Sequence, residues 1–307
     1  MNKELIVIAL GGNALIRAGQ KGTFEEQLFN LSKIASHIAY LAKKYSLIIT
    51  HGNGPQIGNL YLQQEATPDV PPMPLHACGA MTQSLIGYML QQVLSTADPG
   101  LNIAVITTRV EDPDDPAFKS PPKPIGSFYP ENKLEELKSR GWDLVYVPNR
   151  GWRRVAPSPL PQKILELDVI RTLVGNIDII VAVGGGGIPV KRGDKGYVGV
   201  DAVIDKDLAS SLLATELNAS KFVILTDVEG VYLDHGKPTQ RLLPEICAGE
   251  ALQMVRNGVF PGSSMGPKVE AAALYTEKTR RVSAIAHLDN ILEAVELKSG
   301  TRVVPCE

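Results

Sequence analysis

Several things are scarce in this sequence of 307 residues, and each shortage excludes a class of function. The longest uninterrupted apolar run is Leu5 to Leu10, six residues. A bilayer-spanning helix needs roughly 18 or more, so no transmembrane segment is expected. That run begins within four residues of Met1, so no signal peptide is expected and a cytoplasmic location is. Charge of one sign is also missing. The 31 Lys and Arg against 33 Asp and Glu leave a net charge of -2, which provides no electrostatic drive toward nucleic acid or an anionic membrane. Cys78, Cys247 and Cys306 form no CxxC pair, and the five histidines form no HExxH. An odd cysteine count at wide spacing argues against a disulfide framework and a structural zinc site. Free thiols in a reducing compartment are expected, and no protein-held metal.

What the chain has in excess is glycine and proline, 28 and 22 residues, with no period. The rest alternates between strand-like and helix-like stretches. Leu5–Leu10 reads as a strand buried on both faces. From Leu28 to Ala42 apolar residues recur every three or four positions, which predicts a helix. Further strands are expected at Leu47–Thr50, Ile103–Ile106, Ile177–Val183, Phe222–Thr226 and Val282–Ala286. Helices are expected at Met81–Leu94, Ile164–Val174, Leu208–Leu217, Glu245–Val255, Val269–Glu277 and Leu288–Val295. This alternation predicts an α/β fold: an open, mainly parallel sheet with helices on both faces. Ten of the prolines fall between Pro113 and Pro161 together with Phe118, Phe128, Tyr129, Trp142, Tyr146 and Trp152. Proline excludes a central strand or long helix there, and the aromatics argue against disorder. The segment of about 112–161 reads as a small lid subdomain inserted in a single domain of 1–307.

Glycines cluster where strands end. Gly11-Gly12-Asn13, Gly52-Asn53-Gly54 and Gly184 to Gly187 each follow a predicted strand. In open parallel sheets ligands bind at such ends, and glycine lets backbone amides approach an anion. A polyanionic ligand is the reading. No GxxxxGK[ST] is present, so a P-loop is excluded. Gly52 to Gly58 does resemble a variant dinucleotide turn, which leaves a nicotinamide-dependent dehydrogenase open; Glu65 and Asp69 would then be the nearest acids. Three lysines bear on the choice. Lys206 lies between Asp205 and Asp207 at a helix start, Lys268 follows Pro267 in a first helical turn, and Lys123 lies among prolines 121, 122 and 124. With glycine turns and no nucleophile–base pair, they suit phosphoryl transfer, which needs positioning and positive charge. A non-catalytic ligand sensor would not need all three.

These motifs resemble the amino-acid kinase family and, within it, its carbamate-phosphorylating branch. The matching blocks run nearly end to end: ALGGNAL (9–15), THGNGPQIGNL (50–60), AMTQSLIGYMLQQ (80–92), DPAFKSPPKPIG (115–126), RGWRRVAPSP (150–159), GGGGIPV (184–190), AVIDKDLAS (202–210), ILTDVEGVYL (224–233) and SMGPKVEAA (264–272). The resemblance implies a three-layer αβα sandwich with an acceptor lobe of about 1–175, a nucleotide lobe of about 176–307 and the lid. It implies reversible transfer between ATP and carbamate, giving ADP and carbamoyl phosphate without a covalent intermediate, with Mg²⁺ bound to the nucleotide and the protein a homodimer. Carried over to this sequence, Lys123, Lys206, Lys268 and Asp205 would be catalytic, Asp205 orienting the lysines. Gly11, Gly12 and Asn13 would hold the phosphoryl group. Gly52, Asn53 and Gly54, with Gly184 and Gly185, would hold substrate. Thr226, Asp227, Val228, Tyr232, Met265, Gly266 and Pro267 would frame the nucleoside. Many relatives carry a lysine two positions before the first glycine; here that position is Ala9, and the missing charge would come from Lys123. Ser263, Thr108 and Asp201 stand where the branch commonly has Gly, Gln and Glu.

Overall fold

The computed structural model describes all residues except 1–2, 18, 68, 112–122, 140, 148–150 and 262–263. Arg150, Ser263 and the first part of the proline-rich segment therefore lie outside the described residues. An eight-stranded sheet forms the middle layer. Its strands lie in the order Glu245–Cys247, Thr301–Val304, Ser283–His287, Lys221–Thr226, Leu5–Leu10, Ser46–His51, Ile179–Val181, Ile103–Val105. Every neighbouring pair is parallel except Ser283–His287 with Thr301–Val304, which is antiparallel.

The strand Leu5–Leu10 is buried throughout because helices cover both faces. Successive side chains point to opposite faces, and the core divides accordingly. Val7 and Ala9 pack with Ala209, Leu213, Ala272 and Tyr275 of helices Lys206–Glu216 and Met265–Thr279. Ile6, Ile8 and Leu10 pack with Leu31, Ile38, Ile86 and Leu90 of helices Phe24–Lys44 and Leu75–Ala97. Each buried Leu or Ile contributes about 1.5–3 kcal/mol, so the continuous apolar strand is the centre of the fold. The first of these helices starts before the periodic residues because Thr23 and Glu26 cap it reciprocally, each side chain accepting the other's backbone amide.

Apart from a two-stranded pair, Val231–Leu233 with Arg241–Leu243, the described residues form two smaller sheets. Lys123–Tyr129, Gly151–Ala156 and Leu144–Val147 form an antiparallel three-stranded sheet within the aromatic, proline-rich segment. Arg109–Glu111, Lys163–Ile164, Ile188–Gly193 and Gly196–Gly199 form the other. Some elements differ from their predicted form. Ile164 belongs to a strand, the following helix being Leu167–Leu173. Glu245–Cys247 pairs with Thr301–Val304 before the helix Ala248–Arg256 begins. A sheet edge can recruit three residues whose own sequence carries no period-two pattern.

The cysteine expectation is corrected. Cys247 and Cys306 form a disulfide, with Cα atoms 5.0 Å apart, and only Cys78 remains free. The two lie 59 residues apart in sequence, but Cys247 pairs in register with Val304. Tertiary pairing brings them together, and spacing alone conceals it. Among the described residues no helix is long and apolar enough to cross a membrane.

Candidate functional site

The strands Leu5–Leu10, Ser46–His51 and Ile179–Val181 are parallel neighbours, so the turns at their carboxyl ends converge. Gly11 donates its amide to the Leu225 carbonyl at 2.9 Å. A Cβ at Gly11 would lie 2.8 Å from that oxygen, so no other residue fits. Gly52 faces Gly12: a Cβ on it would be 3.5 Å from the Gly12 nitrogen and 3.8 Å from Lys206 Cε. Gly54 opens the helix Gly54–Glu65, whose N-cap residue Asn53 makes no side-chain cap. Asn53 Nδ2 donates instead to Thr82 Oγ1 at 2.9 Å. The helix thus presents first-turn amides and the positive end of its dipole without a capping oxygen. Gly184 abuts the His51 ring, and Gly185 abuts the Asn53 amide.

The lysines are arranged in two ways. Lys206 Nζ lies 2.5 Å from Asp207 Oδ1, and Lys268 Nζ lies 2.9 Å from Asp207 Oδ2. All three side chains are largely buried. Lys123, on the three-stranded sheet, pairs with Asp205. Asp205 Oδ1 also caps the helix Lys206–Glu216, accepting from the amides of Asp207 at 2.8 Å and Leu208 at 3.2 Å. The carboxylate joining Lys206 and Lys268 is therefore Asp207, not the expected Asp205.

Electrostatics follow from this geometry. Burial would raise the Asp207 carboxyl, but the ammonium groups of Lys206 and Lys268 outweigh it and hold the group at about 2. Burial pulls Lys206 below the ordinary lysine value, and neighbouring Lys268 adds to that. Burial opposes charge on Lys268 too, yet Asp207 prevails and its value is raised. Two cations sharing one anion leave an excess positive charge at the turns. Burial lowers His51 to about 4, with its Nδ1 3.1 Å from the Gly52 carbonyl oxygen. It is a neutral, packed residue at a strand end.

Beyond Lys268 lies a cavity of about 210 Å³ lined by Thr226, Asp227, Val228, Tyr232 and Met265. His235, Phe260, Pro261 and Ser264 complete the wall and were not foreseen. Gly266 and Pro267 lie outside the lining: Gly266 packs against the Pro261 carbonyl, where a Cβ would approach to 3.2 Å, and its amide donates there at 3.0 Å. Asn13 is exposed and lines an adjoining recess with Arg17 and His287, which Thr226 and Asp227 share. The small sheet rests on the helix Gly54–Glu65. The Arg154 guanidinium lies over the Tyr61 and Trp142 rings at 4.9 and 4.7 Å, and Tyr129 donates to Glu65 Oε2 at 3.2 Å. Gly58 and Glu65 thus face that sheet, and Asp69 lies exposed in a loop. Neither acid that the dehydrogenase reading needs follows the turn at a strand end, and that reading finds no support.

Asp207 is the main residue that sequence reasoning missed. Its signal was present, since it follows Lys206 directly, but nothing in the sequence says which of two flanking carboxylates turns inward.

Comparison with known proteins agrees with this geometry. A model of the amino acid kinase family matches residues 4–286. The carbamate kinase of Pyrococcus furiosus is 45% identical over 310 residues, covering 98% of this chain and 99% of that one. The structure of carbamate kinase from Giardia lamblia bound to AMP-PNP superposes with a TM-score of 0.91 at 42% identity, covering 99% of both chains. A crystal structure from Aeropyrum pernix K1 gives a TM-score of 0.93 at 43% identity, covering 99% of this chain and all of that one.

Proposed function

This chain belongs to the amino acid kinase family, and from that premise we propose that it acts as a carbamate kinase. It transfers a phosphoryl group reversibly between ATP and carbamate. The observation that carries the chemistry is the placement of Lys206 and Lys268 on one buried carboxylate, between the glycine turns and the cavity. ADP would seat its nucleoside in the cavity framed by Thr226, Asp227, Val228, Tyr232 and Met265. Gly266 and Pro267 would support that wall from behind. Its phosphates would reach Lys268 and Lys206. Carbamoyl phosphate would lie on the amides of Gly12 and Gly54, against Gly11 and Gly52, whose own amides are held by the Leu225 and Leu10 carbonyls, and beside Asn53, Gly184 and Gly185, with Asn13 at the edge.

In the ATP-forming direction a β-phosphate oxygen of ADP attacks phosphorus, the bond from phosphorus to the carbamoyl oxygen breaks, and carbamate leaves with that electron pair. No proton transfer and no bond to the protein is needed. The side chains supply position and charge: the lysines neutralise the transferring oxygens and the ADP phosphates, and the glycine amides fix the acceptor. Lys123, with Ala9 carrying no charge, supplies the acceptor-side cation from the small sheet. A magnesium ion would be held by nucleotide oxygens and water, as is usual for this cation, where it neutralises phosphate charge. Among the described residues no group of three or more His, Cys, Asp or Glu could form a protein cage for it.

The reading includes an acceptor lobe of about 1–175, a nucleotide lobe of about 176–307, and residues of about 112–161 acting as a lid. It also includes a homodimer, supported by exposed Met81, Leu85 and Tyr88 on one helix with Phe24 stacked on Tyr88, and a cytoplasmic location, supported by dependence on ATP and ADP. The test is ATP formation from ADP with carbamoyl phosphate, acetyl phosphate and acetylglutamyl phosphate. Turnover should be far highest with carbamoyl phosphate and absent with acetylglutamyl phosphate. Equal rates with all three would refute the substrate while leaving the kinase class standing.

A further inference from the structure

The turn Gly184–Gly187 begins from an unfavourable backbone. Val183 has φ 53° and ψ 32°, the left-handed region. Among the described residues five non-glycine residues have positive φ, and Val183 is the β-branched one. A β-branched side chain crowds this conformation severely, so something must hold it. The structure shows what does. The Val183 amide donates to Thr108 Oγ1 at 3.0 Å, and that hydroxyl donates onward to the Ile106 carbonyl at 2.8 Å. Thr108 and Val183 are both fully buried. Gln83 fixes Thr108 from behind: its Oε1 accepts the Thr108 amide at 2.9 Å, and its Nε2 donates to the Thr108 carbonyl at 3.1 Å. The Ile188 amide, just past the turn, donates to that same carbonyl at 2.9 Å. Both ends of the turn are therefore tied to one residue.

We propose that Thr108 is a positioning residue for the acceptor: its hydroxyl locks Val183 in the left-handed conformation that presses the glycine turn against His51, Asn53 and the residue preceding Asp205. The contacts are tight along that turn. A Cβ would lie 2.5 Å from His51 Nε2 at Gly184, 2.2 Å from Asn53 Nδ2 at Gly185, and 2.3 Å from the Ile204 carbonyl oxygen at Gly186. Without the hydroxyl, Val183 is free to relax toward ordinary φ, which redirects the chain and withdraws the turn from Asn53. The nucleotide cavity is lined by none of these residues, so the effect is confined to the acceptor. This rests on the reading above, in which Gly184 and Gly185 face carbamoyl phosphate.

The experiment is a double-mutant cycle on the full chain, with carbamoyl phosphate and ADP as probes. Wild-type ATP formation is measured first; its absence would refute the reading above rather than the role of Thr108. Thr108→Val keeps the volume and removes the acceptor of the Val183 amide. It should lower kcat/KM for carbamoyl phosphate about tenfold, or about 1.4 kcal/mol, while ADP affinity stays within about twofold. Thr108→Ser keeps the hydroxyl and should stay near wild type. In a Val183→Gly background, where left-handed φ is free, Thr108→Val should have less than about a third of that effect. Equal effects in both backgrounds, or a parallel loss of ADP affinity, would overturn the proposal. If Thr108→Val does not fold alone, recovery of folded protein on adding Val183→Gly supports it, and continued failure overturns it.

Discussion

The lysines of this site are held in two different ways by two parts of the molecule. Lys206 and Lys268 start helices packed on the large sheet, are buried, and share Asp207. Lys123 stands on the three-stranded sheet, a third of its side chain exposed, and meets Asp205 across 82 residues of sequence. The first pair is preorganised: the cost of burying it was met in folding, so no reorganisation is needed when phosphoryl charge develops. The second is a charge on the three-stranded sheet, which rests on the helix Gly54–Glu65 through aromatic rings and Arg154. On the proposed reading, a fixed pair on one side and a cation carried by a lid on the other would admit substrate and then enclose it. The Asp205–Lys123 ion pair joins the two parts at the site, beside the contacts of Arg154 with Tyr61 and of Tyr129 with Glu65.

The largest loss of activity is expected at the fixed pair. Lys206→Ala and Lys268→Ala should each lower kcat by about 10²–10³-fold, the loss expected for a preorganised donor at developing charge. Folding should survive, since both stand at helix starts. Normal kcat in either variant with ADP still bound would reduce that lysine to a bystander.

How much of this was legible in the sequence divides along the same line. The buried strand Leu5–Leu10, the three glycine turns and the three lysines could all be read directly, because apolar continuity and turn chemistry are local. The aromatic, proline-rich segment was readable as ordered for the same reason, and its described part holds the three-stranded sheet. Asp207 was not singled out, since the direction of a side chain at a helix start depends on what packs there. Thr108 was invisible as the partner of Val183, and Gln83 as the partner of Thr108: these hydrogen bonds span 75 and 25 residues. The Cys247–Cys306 bridge escaped because strand register, not spacing, brings it together.

A pH measurement probes the fixed side next. His51 has a folded value of about 4, below the ordinary 6.5. The unfolded chain then binds the extra proton between those values, so stability rises with pH across that window and is lost as pH falls from 6.5 to 4. The size is roughly 3 kcal/mol. Urea unfolding of wild type and His51→Gln from pH 7.5 to 4.5 should show this slope only in wild type. Identical slopes would mean His51 is solvated rather than packed.

A smaller effect is expected at the joint between the two parts. Arg154→Ala removes the guanidinium from the Tyr61 and Trp142 rings, worth about 1–2 kcal/mol of docking. Turnover should fall only a few-fold, with ADP affinity unchanged, because the small sheet keeps its other contacts. A loss as large as that of Lys268→Ala would show the small sheet to be as rigidly required as the helices.

Lys123 decides whether one cation belongs to the acceptor side and two to the nucleotide side. The measurement is kcat and ADP affinity for Lys123→Ala, taken side by side, with Ala9→Lys added as a second arm. In Lys123→Ala kcat should fall about tenfold or more with ADP affinity unchanged, and turnover should partly recover when Ala9→Lys returns a charge from the first strand. A fall in ADP affinity in step with kcat, with no recovery, would make Lys123 a nucleotide ligand or a prop and contradict the division.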